Sequence, residues 1–231
     1  MKHYTSIYDF VPARQIGGVS LIVPHAGRFL FGLRRLGQDG AGQTVEITAI
    51  GGKRENSDPS LEACAQREAY EEIGCRIRVI PSVETTVIRG PRENQRIKFS
   101  EDERPIALIF RHFNTPAHDP WHISGTQPGC VAVFLASLAG NPSPTGELPA
   151  LIWLRPEQIL QTAQQDVRLR DLIATGAQLI DNNSPTLSQR VLVRMTDSQE
   201  ALALGLSKRT VPFYEDLTHT SEQFIETYDI S

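Results

Sequence analysis

Residues 51–75 read GGKRENSDPSLEACAQREAYEEIGC, and the fold is decided here. Gly51-Gly52 abruptly end a strand-like apolar run, Val45–Ile50. Asp58 stands where its carboxylate can accept from the free amides of a first helical turn. Pro59 follows at the first helical position, where its missing N–H costs nothing. Gly74 sits where a left-handed C-terminal cap is expected. This punctuation predicts a helix over Pro59–Ile73. On it Glu68, Glu71 and Glu72 recur at helical spacing and share one face. Arg67, four residues before Glu71, can bridge to it from the flank.

Such a face is unfavourable by itself. Like charges repel, and they crowd the half of the helix whose dipole end is already negative, at about 0.3–1 kcal/mol for each misplaced charge. A hard divalent cation reverses the sign of both effects, since carboxylate oxygens are the ligands that Mg2+ or Mn2+ takes alongside water and substrate phosphates. Taken alone, REAYEE also reads as a solvated acidic face. The frame favours the metal-phosphate reading, because glycines at a strand end let backbone N–H groups approach a phosphate.

Outward from this segment, Gly17-Gly18 open the run Val19–Val23. Phe29–Arg35 reads as its hairpin partner across a turn at Ala26-Gly27. Gly37–Gly42 reads as a glycine-rich loop. Residues 75–89, Pro105–Phe113, Val131–Leu138 and Leu151–Leu154 are further strand candidates. Asn114–Gly129 and Asn141–Pro149 read as loop and turn. A helical pattern begins at Pro156 and continues to about Ala177, and Thr186–Leu206 is read as further helix. Residues 1–16 read as a lead-in.

Composition bounds the function. The chain has 231 residues, 40% apolar and 22% charged, which suits a globular protein with a substantial core. A net charge of -4 argues against general nucleic-acid binding. Cys64, Cys75 and Cys130 fit neither a zinc pattern nor a disulfide framework, so a reducing, cytoplasmic setting is expected. No apolar run approaches a membrane span.

The segment resembles the Nudix box, G-x5-E-x7-R-E-U-x-E-E-x-G-U, where U is a bulky aliphatic residue. Arg67-Glu68-Ala69-Tyr70-Glu71-Glu72-Ile73-Gly74-Cys75 matches every fixed polar position of its second half. Ala69 is small for U, and Cys75 is a mild substitute. Gly52 matches the opening glycine, but the gap to Arg67 is one residue too long. The early glutamate is absent. Counting from Gly52, Asp58 takes its place, and counting back from Arg67, Pro59 does; Asp58 either supplies the missing carboxylate or caps the helix.

The resemblance implies an α/β fold, a Nudix-type α/β/α sandwich with a mixed β-sheet. Residues 1–160 would form the hydrolase domain. Residues 161–231 would form a C-terminal helical extension, packed on the same domain or used in a homodimer. It implies Glu68, Glu71 and Glu72 as ligands of Mg2+ or Mn2+, with Arg67 orienting one of these carboxylates. Catalysis would rest on Glu71, Glu68 and Arg67. Glu147, in the turn before Leu151–Leu154, would serve as a base or extra ligand, and also reads as an exposed turn residue. Gly51, Gly52, Lys53 and Arg54 are candidate phosphate contacts. Arg89, Arg92, Arg96, Lys98, Arg104 and Arg111 read either as a substrate lid or as solvated surface. His112, His118, His122 and Trp121 fit no zinc pattern. The expected reaction is hydrolysis of a pyrophosphate linkage in a small-molecule phosphoanhydride, a nucleoside diphosphate joined to another group. The alternative on the same fold is a non-catalytic nucleotide-binding sensor.

Overall fold

A computed structural model describes residues 1–39, 42–90, 93–101, 103–111, 129–145, 148–181 and 192–195. In chain order the elements are β1 (Lys2–Tyr4), α1 (Ile7–Phe10), a 3-10 turn (Ala13–Gln15), β2 (Ile16–Ile22), β3 (Pro24–His25), β4 (Arg28–Asp39), β5 (Gly42–Thr48) and α2 (Leu61–Ile73). Then follow β6 (Ile77–Ile80), β7 (Thr85–Gly90), β8 (Glu93–Phe99), β9 (Ala107–Arg111), β10 (Gly129–Leu138) and β11 (Ala150–Leu154). The described chain ends with α3 (Pro156–Gln164), β12 (Val167–Arg168), α4 (Leu169–Ala174), β13 (Gln178–Asp181) and β14 (Leu192–Met195). The α/β class with mixed sheets and few helices is as expected. No helix among the described residues is long and apolar enough to cross a membrane.

The chain forms two compact units. The first comprises residues 1–22, 51–70 and 76–139, and the second residues 23–50, 71–75 and 140–231. The first unit holds a sheet in the order β1-β8-β7-β9-β10-β2, with β6 also on β10. Strand β10 is its hub. It pairs in parallel with β2, and antiparallel with β9 over Gly129–Val133 and with β6 over Leu135–Leu138. Its residues are buried from Gly129 to Ala136, which is why it reads as a continuous apolar run rather than an alternating one.

The second unit holds a sheet in the order β12-β14-β5-β4-β11-β13, with β3 on β4. Its core includes Leu30, Leu33, Ile47, Leu151 and Ile159. Gln158 ties α3 to α4, donating to the Leu172 carbonyl at 2.8 Å and the Thr175 hydroxyl at 2.9 Å.

Several local expectations change. The hairpin into β4 comes from β3, with the Val23 carbonyl accepting from Leu30 N at 3.0 Å, whereas Val19–Ile22 of the expected run lies in β2 and pairs with β10. Its turn is Ala26-Gly27, both at positive φ (46° and 71°), as a tight right-twisted hairpin requires. The expected Gly37–Gly42 loop is largely strand, since β4 and β5 remain paired out to Asp39↔Gly42. The helical stretch after Pro156 is broken by β12, and Leu192–Met195, expected as helix, is a strand paired with β5. Cross-strand pairing overrode the local helical pattern in these short segments. Asn114–Gly129 up to Pro128, and the rest of Thr186–Leu206, lie outside the described residues.

Candidate active site

The box helix starts two residues later than its punctuation suggests, at Leu61. Asp58 does not cap it. Ser60 Oγ accepts from the Ala63 amide at 3.0 Å. The first two amides are taken by a residue distant in sequence: Glu103 Oε1 accepts from Leu61 N at 2.6 Å and Glu62 N at 3.2 Å. The carboxylate's other oxygen accepts from the Tyr8 hydroxyl at 3.1 Å. Burial and the Glu103 charge push the Tyr8 phenol up, which keeps it a donor.

Asp58 is drawn elsewhere by Arg67. Arg67 Nε donates to Asp58 Oδ1 at 3.1 Å and Nη2 to Oδ2 at 3.0 Å, a two-point pair on a buried carboxylate. The Glu55 amide adds a third bond at 2.8 Å. Arg67 Nη1 then reaches Glu68 Oε1 at 2.9 Å, and Nη2 also donates to the Lys53 carbonyl at 2.8 Å. Asp58 is therefore a carboxylate partner of Arg67 and not the helix cap. A two-toothed guanidinium bond outweighs one amide of an N-cap.

The Arg67 bond holds the Asp58 carboxyl down at about 2, against an ordinary 3.8. A depressed carboxyl contributes stability that is complete above its unfolded pKa and is lost as pH falls through the folded value. Asp58→Asn is expected to cost about 1–3 kcal/mol at pH 7. In urea unfolding the gap between the two proteins should narrow from roughly pH 4 to pH 2. A gap that stays constant over that range would mean the charge is not what binds Arg67.

Gly51 and Gly52 are fixed against β2. Val19 N donates to the Gly52 carbonyl and Arg54 N to the Gly17 carbonyl, both at 3.0 Å. Gly51 has φ 141°, and a Cβ there would strike the Val19 carbonyl oxygen. A Cβ on Gly52 would fall within the Glu68 carboxylate. The close approach that this glycine permits is thus to an acidic side chain, which has 9% exposure. The Lys53 side chain is exposed, and the Arg54 guanidinium lies 5.8 Å over the Tyr8 ring. Burial pushes the neighbouring Cys64 thiol up to about 12, which excludes it as a nucleophile.

From Glu71 onward the helix belongs to the second unit. Glu71 is exposed, and Glu72 is buried with Arg34 Nη2 at 3.7 Å. The helix's last carbonyls are not left to the dipole. Thr145 Oγ1 donates to Glu71 O, Thr145 N to Glu72 O at 3.1 Å, and Ser143 N to Ile73 O at 2.9 Å. Gly74 adopts the expected left-handed turn, φ 62°. Ala69, small for its box position, is fully buried.

Arg34, Glu103 and Tyr8 were not singled out by the sequence pattern. For Arg34 the signal was a charge inside the apolar run FLFGLRRL. Nothing local marks Glu103 as a helix cap. Among the lid cations, Arg96 and Lys98 are both paired with Glu84, at 3.7 and 3.5 Å. Glu147, Arg92, Trp121 and the histidines at 112, 118 and 122 lie outside the described residues. So does the side chain of Arg111. Among the described residues no three His, Cys, Asp or Glu side chains already form a metal cage.

Solved structures similar to this chain include a NUDIX-family hydrolase from Clostridium perfringens, 15% identical with TM-score 0.41, covering 83% of this chain and 95% of that one. The E. coli ORF135 protein is 22% identical with TM-score 0.37, over 65% and 82%. A C. elegans Ap4A hydrolase is 14% identical with TM-score 0.39, over 65% and 87%. No curated protein sequence matches. A family model, the NUDIX domain, matches residues 14–175, well over half of the chain and with the whole box inside it. The chain belongs to the NUDIX family and is a Nudix pyrophosphohydrolase by class.

Proposed function

We propose that the protein cleaves the pyrophosphate linkage of a nucleoside diphosphate joined to another moiety, using Mg2+ or Mn2+ held by Glu68, Glu71 and Glu72. The observation that carries this is the fixing of Glu68. Its carboxylate is bonded by Arg67, Arg67 is locked by Asp58, and Gly52 leaves the space in which that carboxylate sits. A buried charge held so firmly, on a helix with two more carboxylates at helical spacing, fits a hard cation that keeps several ligand positions for water and phosphate.

The bound ion would neutralise charge on the phosphate oxygens and favour deprotonation of the attacking water. The protein's part is positioning. Arg67 fixes Glu68. Gly51 and Gly52 let the backbone pack against Val19 and Glu68, and are assigned as phosphate contacts. Lys53 and Arg54 supply cations to its phosphates, and Arg34 adds another beside Glu72. Arg34 Nε is buried without an acceptor among the described residues, a cost expected of a group awaiting a ligand. Glu147, two residues beyond Thr145, is assigned as base or further ligand. Residues 1–160 are assigned to the hydrolase domain, and 161–231 to an extension that supplies β12, β13 and β14. The three buried free cysteines suit a reducing, cytoplasmic setting.

The test is phosphate release, read with a coupled phosphatase, across nucleotide sugars, ADP-ribose, dinucleoside polyphosphates, coenzyme A and oxidised nucleotides. One class should turn over with Mg2+ or Mn2+. That turnover should vanish with chelator and fall on the order of 10²-fold or more in Glu71→Gln. Silence across the panel, with nucleotide binding retained, would make the protein a sensor.

A further inference from the structure

The cations of residues 89–111 are not equivalent. Arg96 and Lys98 share the Glu84 carboxylate, whereas Arg89 has no carboxylate and no hydrogen-bond acceptor among the residues whose side chains are described. Its guanidinium instead lies 4.1 Å over the Phe110 ring and 5.9 Å from the Phe10 ring. Those rings belong to an aromatic floor. Phe10 meets Phe110 and Phe99 edge-on at 6.4 Å and Tyr4 at 5.0 Å. The side chain is exposed, so the rings hold the guanidinium's orientation while its N–H edges face solvent. A planar fork already oriented loses little entropy on binding a phosphate.

Helix α1 provides a seat both for this group and for Arg54 of the loop at the site. Helix α1 is a single turn, about 6 Å long. Tyr8 lies under Arg54 of the Gly51–Arg54 loop, and Phe10 lies under Arg89. Two guanidinium groups are thus seated on aromatic residues two positions apart in one helical turn, which point to different sides of it, both within the first unit.

We infer that Arg89, held on Phe110 and Phe10, is a second phosphate subsite, which takes a phosphomonoester on the substrate remote from the cleaved linkage. The inference rests on the phosphoanhydride reading above and narrows it to substrates that carry an additional phosphate. A phosphomonoester is near dianionic at neutral pH and offers several oxygens to the fork.

Two matched pairs of probes test it, NADP+ with NAD+ and coenzyme A with dephospho-coenzyme A. Binding is measured by calorimetry without divalent metal. The wild type should prefer the phosphorylated member of at least one pair by about tenfold. Arg89→Ala should abolish that preference, Phe110→Leu should reduce it, and Arg96→Ala, which removes the same charge nearby, should keep it. Equal affinity within both pairs, including no measurable binding, overturns the subsite, as does a preference that survives in Arg89→Ala. Turnover decides the other question separately. A preference that depends on Arg89, with no hydrolysis of any compound, sinks the hydrolase reading and leaves the subsite standing.

Discussion

Glu68→Gln is expected to lower turnover on the order of 10²–10³-fold while the protein stays folded. Glutamine keeps the size of the side chain and an oxygen that can accept from Arg67 Nη1, so the 2.9 Å bond survives in form. What disappears is the charge. A hard cation loses an anionic ligand, and Arg67 keeps its stronger partner, Asp58. The stability change should therefore be small, within about 1 kcal/mol. Rates of phosphate release and a thermal melt on the same preparation check both parts. A variant that retains turnover within about threefold would remove Glu68 from the site. One that fails to fold would show that the residue serves structure first.

That expectation depends on local features that the sequence displays openly. The spacing of Glu68, Glu71 and Glu72, the left-handed Gly74 and the strand before Gly51-Gly52 all lie within one stretch of chain. Each reports a short-range preference. The choices that went unread are tertiary. Asp58 had two destinations, an amide of the first helical turn or the Arg67 guanidinium. Only the fold brings Arg67 close enough to win. Once it does, the vacant cap is filled by Glu103, 42 residues from Leu61 in sequence. The hairpin failed for a similar reason. Val19–Val23 and Phe29–Arg35 look like partners because they are adjacent and apolar. Strand β2 instead pairs in parallel with β10, and Pro24, which has no N–H to donate, marks where the chain changes sheet. Strand β8 passed unnoticed because ENQRIKF is mostly polar and its pairing with β1 and β7 is carried by backbone.

The same contrast between local pattern and tertiary space sets the outcome of Gly52→Ala, which should lower turnover by about 10²-fold or more. Gly51 and Gly52 look alike in sequence but differ in what forbids a side chain. At Gly51 the backbone angle itself, φ 141°, disfavours any L-residue. Gly52 carries no such strain. There the obstacle is the Glu68 carboxylate, which occupies the volume a methyl group would need. Glu68 is the end of a flexible side chain, so it can move while the backbone holds. Alanine should therefore cost little stability, yet displace the one carboxylate that Arg67 and Asp58 fix. A shift of about 1 Å at a positioned group is enough for a loss of this size. The measurement is kcat and KM with saturating metal, beside a denaturation curve. Lost kcat with an unchanged denaturation midpoint is the expected result. A collapse in stability with kcat preserved in the folded fraction would mean that Gly52 matters to the backbone path along β2 rather than to Glu68. Pairing Gly52→Ala with Glu68→Asp, which shortens the displaced side chain, separates the two: recovery of part of the activity is expected only if the clash is with the carboxylate.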